Sequence, residues 1–294
     1  MQKIIPHLWF DKEAKEAADL YTAALPNSRL LSVVTLHDTP GGDTDIVTLE
    51  LCGQGFQLIN AGPLFKFTPA VSFRVDCATK DEVDALWAAL SPGGSALMPL
   101  GEYPFSERYV WLQDRYGVSW QLMYTSGAAA RITPSLMFVG DQCGKTEEAV
   151  RLYTGLFPDS EIDLVTRYGS GEAHNREGTI KHAAFRLIGQ PFAAMDSGYA
   201  HAFSFNEAIS LMVYCDTQAE IDRYWAALSA VPEAEQCGWL KDRYGVSWQI
   251  VPAQMDAMMA DPDPQKVARV TAAFLEMKKF DLATLEQAYA GVGD

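Results

Sequence analysis

The chain has 294 residues, is 48% hydrophobic and 21% charged, and carries a formal charge of −15. So acidic a surface repels phosphate backbones and anionic lipid, which argues against nucleic acid and membrane surfaces as partners. Five scattered cysteines with no CxxC pair exclude a zinc knuckle and a dithiol redox site, and their odd count suits a reducing cytosol.

The first residues run directly into a strand-like segment without a signal-peptide core, and no apolar stretch reaches the length of a membrane span. A cytoplasmic protein is expected. Lys3–Phe10 alternates as a strand, and Lys12–Leu25 has helical spacing with Ala14, Ala17, Ala18, Tyr21 and Leu25 on one side. Pro26-Asn27 stops that helix. Strands are predicted over Arg29–Leu36, Asp45–Leu51 and Phe56–Ile59, the second after the turn signal Pro40-Gly41-Gly42-Asp43. The cycle then restarts with a strand predicted over Ala70–Asp76 and a helix over Lys80–Leu90. Strands follow near Ser95–Leu100, Tyr109–Gln113 and Ser119–Tyr124, and Tyr103–Arg108 reads as a loop over a cavity mouth.

The remainder repeats this plan. Residues 111–122 and 239–250 agree at ten of twelve positions at an offset of 128, from Trp111 to Leu122 and from Trp239 to Ile250. Pro6–Phe10 matches Pro134–Phe138, and Leu25-Pro26-Asn27-Ser28 matches Phe157-Pro158-Asp159-Ser160. Glu82, Asp84 and Trp87 match Glu220, Asp222 and Trp225. The offset drifts from 128 to 132 to 138 and back, which puts insertions and deletions in loops. The two copies are assigned to 1–126 and 131–253, separated by a linker of small residues at 126–130. Each copy reads as βαβββ twice, so the fold class is α+β, four βαβββ units with helices covering sheets on one face. A tail, 255–294, lies outside the repeat. Its Asp261-Pro262-Asp263-Pro264 signal precedes an amphipathic helix predicted over Val267–Lys278 and a second over Asp281–Tyr289, both expected to pack on the barrels or on a partner subunit.

Paired βαβββ units, each copy closing on Asp-Arg-Tyr-Gly-Val-Ser-Trp-Gln, resemble the PhnB-like branch of the vicinal-oxygen-chelate (glyoxalase/bleomycin-resistance) superfamily. This branch also carries the label 3-demethylubiquinone-9 3-methyltransferase. The opening Leu8-Trp9-Phe10 and the segment from Gly189 to Asp196 resemble the same branch. The resemblance implies two incompletely closed glyoxalase-like barrels in tandem, each with its own concave pocket or with one built at the pseudo-twofold contact. It also implies a small organic ligand and often a divalent metal, held by a residue early in a unit's first strand and a Glu near the end of its last. The metal would act as a Lewis acid on two neighbouring substrate oxygens.

In this chain the last-strand positions are Gln121 and Gln249, weaker neutral donors. Strand parity puts Ile5, His7 and Trp9 on one face and Leu8 and Phe10 toward the helices. Copy one thus offers His7, Asn60, Ser72 and Gln121; copy two offers Ser135, Asp196, Ser210 and Gln249, with His182 as a further contact. His7 and Gln121 are the pair to which a divalent metal is assigned. His7 suits a ligand or general base, or else a partly buried histidine bonded to backbone. The Asp-Arg-Tyr-Gly turns with Asp114 and Asp242 read as local turn residues, and Trp9, Trp111 and Trp239 as cavity walls or core. No Gly-rich strand-to-helix turn for a nucleoside cofactor follows a strand, which leaves methyl transfer unsupported. The degenerate ligand set favours a binding protein. The rival is a divalent-metal-dependent lyase, isomerase or dioxygenase, and a homodimer is compatible with either.

Overall fold

The computed structural model describes residues 2–39, 42–172 and 174–291. The first unit comprises β1 (Ile4–Phe10), α1 (Ala14–Ala24), β2 (Arg29–Thr39), β3 (Gly42–Leu51) and β4 (Gln54–Asn60). Pro40-Gly41 of the expected turn lie outside the described residues. The second unit comprises β5 (Val71–Cys77), α2 (Lys80–Leu90), β6 (Ser95–Tyr103), β7 (Ser106–Gln113) and β8 (Ser119–Tyr124). The third comprises β9 (Arg131–Phe138), α3 (Thr146–Leu156), β10 (Glu161–Arg167), β11 (Ile180–Leu187) and β12 (Gln190–Asp196). The fourth has β13 (Ile209–Cys215), α4 (Gln218–Leu228), β14 (Trp239–Lys241) and β15 (Ser247–Pro252), and so lacks a counterpart of β6. That missing strand accounts for the offset falling from 138 back to 128. The expected loop at Tyr103–Arg108 is instead the tip of the β6–β7 hairpin, where Tyr103 pairs with Ser106.

Local chemistry explains the helix ends. Thr79 and Thr217 accept from the backbone N–H of Glu82 and Glu220, whose carboxylates reach back to the N–H of Ala78 and Asp216. These are reciprocal capping boxes that satisfy otherwise orphaned donors. Helices α1 and α3 have no such box and are capped from the ends of β4 and β12.

The sheets do not follow the sequence copies. One sheet runs β14-β15-β13-β1-β4-β3-β2 and the other β10-β11-β12-β9-β5-β8-β7-β6. The first unit therefore pairs with the fourth through β1 and β13, antiparallel, and the second with the third through β5 and β9. Two open sheets built from βαβββ units are found as expected, but of the two expected placements a concavity within each copy is corrected: each concave sheet takes one unit from each copy. What unites a copy is its helix side. Tyr21 of α1 donates to Asp114 ahead of β8 at 2.6 Å, and Tyr153 of α3 donates to Asp242 ahead of β15 at 2.6 Å. The 128-residue repeat is thus a unit of helix-side core, crossed by the hydrogen-bonded sheets.

Alternation along each strand divides two environments. On β1, Leu8 and Phe10 join the helix-side core with Phe73, Trp120 and Trp248. Ile5 faces the other way, into a smaller cluster with Met212, Val251, Met255, Met259 and Phe280. That second cluster exists because of the tail. After β15 come α5 (Met255–Met259), α6 (Pro264–Leu275) and α7 (Leu282–Ala290). Asp263 caps α6 with Pro264 in its first turn, as the Asp-Pro signal implies. The short α5 has too few residues to announce itself by periodicity. The chain after α6 then fills the edge left by the missing strand: the carbonyls of Met277 and Lys278 accept from the N–H groups of Cys237 and Gly238 at 2.8 and 2.7 Å. Among the described residues no helix is long and apolar enough to cross a membrane.

Candidate functional site

A cavity of about 600 Å³ occupies the concave side of the seven-stranded sheet, between β1, β2–β4, β13–β15 and the tail. His7 and Trp9 project into it from β1, and Gln57 and Ile59 from the neighbouring β4, where His7 pairs with Gln57 in parallel register. Gln249 comes from β15 and Met212 from β13. The tail supplies Met255, Met259, Phe274 and Phe280 as the opposite wall.

His7 is 2% exposed, and its Nδ1 has no hydrogen-bond partner. An unmet polar atom in a dry site costs free energy unless something bonds it, so a buried orphan beside a cavity is a place for a ligand. The ring lies edge-on to Trp239, with centroids 5.4 Å apart. Burial without a countercharge pushes the imidazole pKa from its ordinary 6.5 down to about 3. At neutral pH His7 is uncharged, with one N–H to give and one nitrogen to accept.

That shift has a consequence for stability. The unfolded chain binds a proton here below about pH 6.5, whereas the folded chain refuses it until about pH 3. The stabilisation is therefore complete above 6.5 and is lost as the pH falls toward 3. Relative to a His7→Phe variant, the wild-type protein should lose about 2 kcal/mol between pH 7 and pH 5, because each unit of pH costs roughly 1.4 kcal/mol below the unfolded pKa. Other titrating groups are common to both proteins and cancel in chemical-denaturation titrations. Parallel pH profiles for the two would show that His7 is not held neutral.

The two sheets treat their equivalent polar residues differently. In the eight-stranded sheet, Gln121 donates to Ser72 at 2.7 Å and its carbonyl accepts from the Tyr109 hydroxyl at 2.8 Å. Trp111 donates to Ser119 at 2.8 Å. In the seven-stranded sheet Gln249 donates to Ser210 at 2.7 Å, but Cys237 stands where Tyr109 would be. Among the described residues no donor meets the Gln249 carbonyl. Ser247, the counterpart of Ser119, has no partner for its hydroxyl, and Trp239 packs against His7 and Trp9 instead. The eight-stranded sheet bonds Gln121, Ser72 and Tyr109 to one another, although the Thr133 hydroxyl on it has no partner, whereas the seven-stranded sheet leaves Gln249 facing the cavity.

This geometry regroups the residues expected from sequence. His7, Trp9, Ser210 and Gln249 share the seven-stranded sheet, with Ser210 opposite His7 in register. Ser72, Gln121, Ser135 and His182 belong to the eight-stranded sheet, where Ser72 pairs with Ser135. The proposed metal pair is corrected, since His7 and Gln121 lie in different sheets. Burial lowers the His182 pKa, helped by the nearby charge of Arg74.

Asn60 and Asp196 face the helices rather than either concavity. Asn60 accepts from the N–H of Ala14 at 2.8 Å and so caps α1. Asp196 accepts from the N–H groups of Gly144 and Ile180 and from the Thr146 hydroxyl, and anchors α3. Both carry helix-capping duty, and the parity of Phe56-Leu58-Asn60 against Gln57-Ile59 signals it in the sequence. The same parity points to Gln57, which residue-type reasoning passed over. The tail residues carry no such signal, because nothing in their order says which concavity they cover.

A divalent ion fits this donor set poorly. The cavity offers one imidazole and the neutral amides of Gln57 and Gln249. Among the described residues its one carboxylate, Asp256, stands exposed at the rim and already accepts the Tyr214 hydroxyl at 2.7 Å. Among the described residues no three His, Cys, Asp or Glu side chains stand together as a metal set.

The family described as 3-demethylubiquinone-9 3-methyltransferase matches twice, over residues 2–123 and 130–251. A PhnB protein from Bacillus cereus, classed with the same methyltransferase, is 41% identical over 42% of this chain and 100% of its own, with a TM-score of 0.40. Glyoxalase I from Zea mays is 11% identical, covers 86% of this chain and 95% of its own, and superposes with a TM-score of 0.54, a likeness of fold. No curated protein matches this sequence.

Proposed function

Because the chain belongs to the 3-demethylubiquinone-9 3-methyltransferase family, a PhnB-like group of glyoxalase fold, we propose that it binds a small organic molecule in the cavity of its seven-stranded sheet. The observation that carries this reading is the buried, unpartnered Nδ1 of His7 against a cavity of about 600 Å³. That volume falls within the usual range for small-molecule pockets, and apolar walls with a few polar groups are their common form. The eight-stranded sheet, with Gln121, Ser72 and Tyr109 bonded to one another, serves as the structural partner.

The reading includes no resident metal. A lyase, isomerase or dioxygenase acting through a divalent ion needs anionic or imidazole ligands converging on it, and His7 has none facing it among the described residues. His7 is also a poor general base, since a pKa of about 3 leaves it little affinity for a proton near neutrality. The methyl transfer in the family's description calls for a nucleoside-cofactor cradle, and the sequence lacks the glycine-rich turn that builds one.

Two measurements test the reading. In a thermal-shift screen of small organic fragments, hits should raise the Tm of the wild-type protein. That rise should vanish in Thr48→Phe, which fills the cavity, and in His7→Phe. A screen whose hits ignore both substitutions would refute the site. Elemental analysis of tag-free protein should find divalent metal far below one ion per chain, and stoichiometric metal would reinstate the enzyme.

A further inference from the structure

Among the described residues the cavity is almost devoid of charge: no lysine or arginine lines it, and the one acidic residue that does, Asp256, sits at the solvent-facing rim and is engaged by Tyr214. Its depth is walled by Trp9, Trp239, Met212, Met259, Phe274 and Phe280. The neutral His7, Gln57 and the carbonyl of Gln249, which no donor among the described residues meets, come together at one end, and the hydroxyl residues Ser32, Thr39, Thr44 and Thr48 line the β2–β3 side. We infer that the cavity takes an uncharged, mainly apolar molecule whose polar head at the His7 end both gives and accepts a hydrogen bond, such as a phenol, an alcohol or a carboxamide.

The inference rests on the site proposed above and narrows it. A ligand anion at the His7 end would be desolvated with no countercharge, and the protein's net charge of −15 would oppose its approach. A ligand cation would find the carboxylate of Asp256 away from that end, among the tail residues. A hydroxyl or amide suits both sides of the polar end: it can donate to the Gln249 carbonyl and meet either nitrogen of His7, whichever carries the proton. Flat and thioether walls then accommodate an aromatic or alicyclic body without fixing its outline.

The test uses the full chain and three fluorescent naphthalene probes. N-phenyl-1-naphthylamine is uncharged, 8-anilinonaphthalene-1-sulfonate adds an anionic group to the same skeleton, and 1-naphthylmethyl-trimethylammonium is cationic. The uncharged probe should bind saturably, and each charged probe should bind roughly tenfold or more weakly, the penalty expected for an unpaired buried charge. Binding of the uncharged probe should be lost in Thr48→Phe and should not change between pH 5 and pH 8. If a charged probe binds as tightly as the uncharged one and is lost in Thr48→Phe, the ligand class is overturned while the site stands. If no probe saturates, or if all bind regardless of Thr48→Phe, the site and the class fall together.

Discussion

Replacing Asp242 by alanine is expected to destabilise the protein by roughly 3–5 kcal/mol, because several buried donors lose their acceptor at about 1–3 kcal/mol each and part of that is recovered by relaxation. Asp242 is 1% exposed. One carboxylate oxygen accepts from the N–H groups of Tyr244 and Val246, closing the turn into β15. The other accepts from the Tyr153 hydroxyl at 2.6 Å and from the Trp248 indole at 2.9 Å. Alanine leaves all four donors buried and unmet, and each costs on the order of 1–3 kcal/mol before relaxation. Asp242→Asn keeps one acceptor oxygen but presents an N–H₂ group to donors, so its cost should fall between wild type and alanine. Asp114→Ala should behave alike, because Tyr21, Trp120, Tyr116 and Val118 bond to it in the same way. Urea titrations decide the point: a loss below about 1 kcal/mol for either alanine variant would mean that the network relaxes and is not what joins helix to turn.

That network also shows where sequence reading succeeds. The motif Asp-Arg-Tyr-Gly-Val-Ser-Trp-Gln repeats because Asp, Tyr, Val and Trp build one buried joint, a local pattern that periodicity and identity expose. Strand parity likewise sorts Ile5, His7 and Trp9 from Leu8 and Phe10. Parity applied to β4 and β12 would also have turned Asn60 and Asp196 toward the helices, where they cap α1 and α3. What one-dimensional order does not contain is the pairing of units. Adjacent repeats share a helix-side core, yet β1 bonds to β13, more than 200 residues away. His7 therefore meets Gln249 and not Gln121. Sequence identity between Gln121 and Gln249 also hides their difference, which arises at Tyr109 against Cys237, one strand away.

The neighbouring substitution in the duplicate, Val110 to Gly238, accounts for the place of the tail, and reversing it should undo that place. Gly238 has φ +84, a conformation costly for any β-branched residue. A Cβ there would stand 2.5 Å from the Phe280 ring and 3.1 Å from the Ile250 carbonyl oxygen. Gly238→Val should therefore expel Phe280 from its buried seat beneath the tail. Backbone strain of roughly 1–3 kcal/mol and the lost burial of one phenylalanine, roughly 1.5–3 kcal/mol, together predict a cost of about 4 kcal/mol. Phe280→Ala removes the same anchor without the strain. If both act by releasing the tail, the double variant should be clearly less destabilised than the sum of the singles. Limited proteolysis should cut the Gly238→Val protein between Ala253 and Phe280 well before the wild type. The uncharged naphthalene probe should lose affinity in the same variant, because Met255, Met259 and Phe274 leave with the tail. A tail still protected, with additive energies and intact probe binding, would mean that Phe280 repacks around valine. In that case the first copy keeps Val110 for some reason other than the strand that occupies its edge.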